Sequence, residues 1–215
     1  MTDLHYGNIS VENLKYLEMD NLFTKHFNHF SLVPYPNFLD SCEELNTIQS
    51  VQNTAKSKDN YESIMKFCDQ WDSDLMGAIK YWLNKLDIPN NDEYIDYLAN
   101  TSEQLGGLIM KLKNHYNRAR PYQYAFYSNK NDFHPNDTLS GNTPAYPSGH
   151  ASQSYFILSI VANHYEDKRD DLMKLAKRIS DSRVVMGVHF PSDNEFGVMI
   201  AKELMELEDI KKEYF

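Results

Sequence analysis

The chain is 215 residues long, enough for one domain with a sizeable core, and 41% of it is hydrophobic with only eight glycines and eight prolines, which excludes dominant disorder. Its formal net charge of −10 repels nucleic acid and anionic membrane, so a global basic surface is excluded and an anionic substrate needs a local cluster of cations. Cys42 and Cys68 stand in no C-x-x-C or metal-ligand pattern and read as isolated thiols. The first twenty residues have no basic stretch followed by an apolar run, and the longest apolar stretch, Tyr155 to Ala162, is less than half of a membrane span. A cytoplasmic protein without a membrane span is expected, or a periplasmic or secreted one if the chain is a mature form.

Residues 1–36 carry scattered aromatics (Phe23, Phe27, Phe30) and end in Pro34-Tyr35-Pro36, which reads as one or two helices stopped by proline. His26 and His29 have no third ligand nearby and read as a surface pair. From Asn37 to Lys56 the apolar residues Phe38, Leu39, Cys42, Leu45, Ile48 and Val51 recur at threes and fours, predicting an amphipathic helix. Tyr61 to Leu86 continue that period as a single helix of about seven turns, with Asp59 as N-cap and Glu62 three residues on. Its aromatic stripe reads as core packing. After Pro89-Asn90-Asn91, a third helix runs from Asp92 through Leu112.

That helix leads into Lys113-Asn114-His115-Tyr116-Asn117-Arg118-Ala119-Arg120-Pro121. Residues seven apart share a helix face, so Lys113 and Arg120 can project together, and Pro121 then turns the chain out. The same residues also fit an ordinary basic helix C-terminus. Residues 122–146 read as a long loop, a length usually tied to function. Ser148-Gly149-His150 enter an apolar helix, where exposed N–H groups make an anion site, although a serine N-cap fits equally. Asp170 to Ser182 form a further helix, and Asp193 to Lys212 the last. Between them, Pro191 suits a first helical position, which puts Asp193 in the first turn, able to orient His189.

Each fragment alone is ambiguous, but in order they are Lys113-x6-Arg120-Pro121, Pro147-Ser148-Gly149-His150 and Ser182-Arg183-x5-His189-x3-Asp193, separated by twenty-five and thirty-one residues. This joint pattern resembles the type 2 phosphatidic acid phosphatase (PAP2) superfamily, which includes the class A nonspecific acid phosphatases, the lipid phosphate phosphatases and the vanadium-dependent haloperoxidases. The soluble class A acid phosphatases are the nearest branch, although Tyr122 and Ala151 replace neighbours usual there.

The resemblance implies an all-α, single-domain helical bundle over 1–215, with N-terminal helices to 112 and a motif-bearing core over 113–215. It implies a phosphoric monoester hydrolase in which His189 forms a phosphohistidine, Asp193 orients it, and His150 is the general acid and base. Lys113, Arg120, Ser148, Gly149 and Arg183 would hold the phosphate. The physics agrees: three cations stay buried together only if an anion joins them, and a phosphate monoester brings about two charges. No metal or other cofactor is expected, since three cations would repel a divalent ion held by His150, His189 and Asp193. Vanadate is expected as an inhibitor, or as the prosthetic group in the alternative reading as a haloperoxidase. A phosphate-binding protein without turnover is the remaining alternative. Phosphotransfer to alcohols is a companion activity, the substrate is a small phosphomonoester, and apolar stripes on the N-terminal helices leave room for a homo-dimer.

Overall fold

The computed structural model describes residues 4–130 and 132–215. Residues 1–3 and Asn131, which fall in the stretches read as the first helical region and the long loop, lie outside the described residues. The helical period expected from the sequence carries through: among the described residues the regular structure is all helix, with no strand.

The segment most apolar in sequence becomes the centre. Helix α8 (Gly149–His164) buries Phe156, Ile157, Leu158, Ile160, Val161 and Ala162 completely, as a helix hydrophobic on every side must. It packs chiefly on α9 (Arg169–Val185) and α10 (Pro191–Glu206), with α6 (Asp92–Tyr116) on another side. Each such side chain contributes about 1.5–3 kcal/mol on burial, so this trio sets the frame on which the motif residues sit. The approach of α10 to α8 depends on Gly197, where an added Cβ would lie 2.6 Å from the Ser148 carbonyl oxygen and 3.2 Å from the Ala151 Cβ. That close crossing brings the first turn of α10 against the first turn of α8, and the Ser148 N–H donates to the Asp193 carbonyl at 2.9 Å.

The N-terminal helices pack around this frame. Among the described residues up to 36 the helices are single short turns, including α1 (Leu14–Leu17) and α2 (Phe27–Phe30). His26 and His29 pair with Asp209 and Glu203 at 3.0 and 2.8 Å, as a surface pair would. Helix α3 (Phe38–Lys56) starts where expected because Asn37 and Asp40 cap each other's backbone N–H groups.

Four readings need correction. The helix over 61–86 is two, α4 (Tyr61–Ser73) and α5 (Leu75–Lys85), because Asp74 takes an extended conformation and caps Gly77 N at 2.9 Å. The residue preceding α4 is Asn60, not Asp59, and it makes no side-chain cap. Residues 122–146 are not one loop: Pro121 opens α7 (Pro121–Tyr127), and the described residues beyond it, 128–130 and 132–146, are irregular. The last helix likewise breaks at extended Leu207, after which α11 (Glu208–Tyr214) docks Ile210 and Tyr214 into the core. Among the described residues no helix is long and apolar enough to cross a membrane, and both cysteines are free thiols.

Candidate active site

Lys113 and Arg120 converge, but not along one helix face. Helix α6 stops at Tyr116 because Asn117 adopts the left-handed conformation (φ 48°, ψ 34°), a geometry asparagine tolerates, and its N–H closes on the Lys113 carbonyl at 2.8 Å. The chain then doubles back, pairing Arg118 with His5 in an isolated antiparallel bridge. Lys113 thus reaches the site from the last turn of α6 and Arg120 from the residue before Pro121. Lys113 Nζ donates to the carbonyls of Pro144 and Ala145, the latter at 3.4 Å. Arg120 Nε donates to Thr143 O at 2.7 Å, its NH2 to Thr143 Oγ1 at 3.2 Å, and its NH1 to Val188 O at 2.7 Å. Both buried cations therefore stitch the 138–146 strap to the helical frame.

His189 follows the turn at Gly187, whose φ of +73° favours glycine and where an added Cβ would lie 2.7 Å from Gln52 Nε2. Pro191 occupies the first turn of α10, as the sequence predicts, and Asp193 Oδ2 accepts the Phe190 N–H at 2.8 Å. The same oxygen lies 3.1 Å from His189 Nδ1. Arg120 NH1 lies 3.0 Å from His189 Nε2, and a guanidinium can only donate, so Nε2 is the bare nitrogen and Nδ1 carries the proton to Asp193. The imidazole lone pair is thereby aimed at a guanidinium.

Gly149 and His150 open α8. His150 Nε2 donates to the Trp71 carbonyl at 3.1 Å, which leaves Nδ1 as the nitrogen available for proton exchange. Lys113, Arg120, Gly149, His150 and His189 line one cavity of about 280 Å³, together with Ser140, Thr143, Asn142, Asn13 and Tyr16. Ser148 and Arg183 do not line it. The Ser148 hydroxyl is buried and accepts the Ala151 N–H at 3.4 Å, as an N-cap. Arg183 lies one layer back, its NH2 donating to Asp72 Oδ1 at 2.7 Å and Ser140 Oγ at 2.8 Å. Asp72 also takes the hydroxyls of Thr138 and Ser140, each at 2.6 Å, and the Leu139 N–H, so it anchors the strap as well as Arg183.

The electrostatics are those of cations and imidazoles held close together out of water. Burial pushes the His189 pKa well below the usual histidine range, and Arg120, Lys113 and Arg183 push it further. His150 is lowered to about 3, first by burial and then by Arg183. Lys113 falls well below the lysine range through burial and the neighbouring Arg120, and Arg120 falls to about 10 for want of solvent. Asp193 is raised by burial, an effect that Arg118 opposes. Asp72, against the cost of burial, is held below the carboxylate range by Ser140, Thr138, the Leu139 amide and Arg183.

Sequence reasoning missed Arg118, Asp72 and Thr143, each of which touches a motif residue, and Glu44, which holds Arg118. Among the described residues no three or more His, Cys, Asp or Glu side chains converge as a metal site would need. Comparison with known proteins bears on the same residues. The profile of the PAP2 superfamily matches residues 98–202, which contain all three motifs. A non-specific acid phosphatase of Providencia stuartii is 30% identical over 129 residues, covering 58% of this chain and 48% of that protein. The chain therefore spans less than half the length of that relative. With the motifs in order, gathered by the folded chain around α8 and matched by the family profile, residues 98–202 of this chain are a PAP2-superfamily region.

Proposed function

We propose that the chain hydrolyses phosphate monoesters through a phosphohistidine on His189, without a metal ion. The observation that carries this is the buried imidazole whose proton is fixed on Nδ1 by Asp193 while Nε2 faces Arg120 in a cavity shared with Lys113, Gly149 and His150. The phosphoryl group is held by Lys113, Arg120 and the backbone N–H groups at the start of α8, with Arg183 adding its field from behind the strap. His189 Nε2 attacks phosphorus, forming the P–N bond as the ester P–O bond breaks, and His150 gives its Nδ1 proton to the departing alkoxide. Water then attacks the phosphohistidine, its proton passing to His150 as the P–N bond breaks. An alcohol in place of water gives phosphotransfer. The cations supply the charge that a divalent ion supplies elsewhere. The relative's name supports the same reading.

The decisive assay is hydrolysis of p-nitrophenyl phosphate by the folded chain in excess chelator. Turnover on the acid side of neutrality, unaffected by the chelator, is expected, and no turnover anywhere between about pH 4 and 8 overturns the reading.

The same cage carries a proton linkage. Both histidines and Lys113 are depressed by burial and by one another's neighbours, and a bound dianion opposes each effect. Anion binding is therefore expected to take up protons. Sulfate is the clean probe, because it does not titrate in this range. Calorimetry at pH 6 in buffers of different ionisation enthalpy should show net uptake by the protein, whereas zero uptake or release contradicts the assigned cage.

A further inference from the structure

Among the described residues the motifs leave a buried cation, Arg118, unused. Arg118 is fully buried, and its guanidinium makes four side-chain hydrogen bonds: NH1 to Asp193 Oδ1 at 2.6 Å and Ser192 Oγ at 2.7 Å, NH2 to Glu44 Oε2 and Ser41 Oγ, each at 2.8 Å. Its Cζ lies over the Phe190 ring, 4.1 Å from the centroid. It does not line the cavity. Glu44 belongs to α3, outside residues 98–202, and is the other half of the arrangement: besides Arg118 it accepts the Ser192 N–H and the Ser192 hydroxyl, each at 2.7 Å.

We propose that Arg118, anchored by Glu44, is a positioning residue for His189: it fixes Asp193 Oδ1, so that Oδ2 alone faces the imidazole. This rests on the reading of His189 as nucleophile. The geometry is a chain of fixed donors and acceptors: Glu44 to Arg118, Arg118 to Asp193 Oδ1, Asp193 Oδ2 to Nδ1 of His189. A carboxylate free to rotate can offer either oxygen, and one that protonates cannot hold an imidazolium. Arg118 prevents both, because its fork takes one oxygen and its charge keeps the buried carboxyl ionised. The stacking on Phe190 fixes the plane of the fork, which a lysine ammonium cannot reproduce. Glu44 moderates the same charge: alone, Arg118 would draw electron density from Asp193 and weaken its hold on the histidine proton. The N-terminal helix α3 is thus part of the catalytic apparatus through one side chain.

The groups facing Asp193 are Arg118, Glu44 of α3, Lys113 of α6, Arg120, Tyr146 and His189 itself. Of these, Arg118 and Glu44 act on Asp193 with opposite sign. That opposition separates a positioning pair from a mere staple between α3 and α10. The test uses the full chain with ¹³C-labelled aspartate, the Asp193 carboxyl carbon being assigned by Asp193→Asn. Arg118→Met is expected to move the Asp193 titration midpoint up and Glu44→Gln to move it down, whatever substrate the chain turns over. Arg118→Lys, which keeps the charge and loses the fork, provides a second readout if Arg118→Met does not fold: its midpoint stays near the wild type while the His189 Nδ1–H ¹⁵N resonance broadens or shifts. With p-nitrophenyl phosphate, both Arg118 variants should lose about 10- to 100-fold in kcat with little change in KM. Folded Arg118→Met or Glu44→Gln with an unmoved Asp193 midpoint overturns the inference, as does a loss confined to KM. A wild-type chain without turnover overturns the hydrolysis reading instead, and the NMR arms still decide this one.

Discussion

Replacing His189 with alanine is expected to abolish turnover of p-nitrophenyl phosphate, a loss on the order of ten-thousandfold or more, with the fold retained. The side chain is buried between Arg120 and Asp193 and carries no backbone cap, so its removal leaves a small polar gap without unravelling α10, which Asp193 caps through Phe190 N. The cations proposed to hold the phosphoryl group are untouched, so sulfate binding should survive even as turnover is lost, whereas vanadate, which mimics the transition state by bonding to the nucleophile, should bind more weakly. Rapid acid or alkali quench with ³²P-labelled substrate supplies the distinguishing measurement. An acid-labile, alkali-stable phosphoenzyme is expected from the wild type and none from His189→Ala, because a phosphoramidate is cleaved when its nitrogen is protonated. Turnover within tenfold of wild type, or a phosphoenzyme that persists in the variant, would move the nucleophile to another residue and undo the assignment of the lone pair on Nε2.

The site was legible in sequence where one residue type does one irreplaceable job at a fixed interval along the chain. Pro191 and Asp193 are an example: the proline can only open the helix there, so a carboxylate two residues on must lie in the first turn, four residues after the imidazole. Pro121 shows the limit of the same logic. It was read as an exit from the preceding helix, yet a proline that ends one helix can equally begin another, and it opens α7. Asp74 shows a second limit. The apolar period runs unbroken from Tyr61 to Leu86, so periodicity could not register a break made by one side-chain cap. That break ends α4 just beyond Asp72, the residue that holds Arg183 and the strap. The residues that escaped notice, Glu44, Asp72 and Arg118, are partners of motif residues from distant segments. Glu44 is one of three acids within five positions on a solvated-looking helix face, and nothing local marks it as the one that turns inward. Ser148 and Arg183 show the opposite limit: the pattern names them, but Ser148 caps α8 and Arg183 is taken up by Asp72, so neither lines the cavity.

Replacing His150 with alanine is expected to slow hydrolysis by about a hundredfold to ten-thousandfold, and the size of the loss should depend on the leaving group. His150 lies on α8 with Nε2 committed to the Trp71 carbonyl, so only Nδ1 can carry a proton to and from the cavity. A poorly acidic alkoxide cannot leave unless protonated, whereas a nitrophenolate leaves largely unaided. The loss should therefore be greatest for alkyl phosphates and least for p-nitrophenyl phosphate, steepening the dependence of kcat/KM on leaving-group pKa. Sign and pH follow from the cage. His150 is lowered to about 3 by burial and Arg183, so without an anion it is neutral at working pH and cannot donate. A bound phosphate dianion favours the imidazolium, and the substrate thereby charges its own acid. The acidic form is lost as pH rises through the value reached in the complex, so the alkaline limb of the wild-type kcat profile belongs to His150 and should disappear in His150→Ala. The acid limb, set by protonation of His189 on Nε2, should remain. Equal losses on alkyl and nitrophenyl esters, with the alkaline limb still present, would show that the leaving group takes its proton elsewhere. Because the Trp71 carbonyl lies one residue before Asp72, α4 in the proposed mechanism serves both halves of the reaction: it holds His150 through its backbone and Arg183 through its side chain.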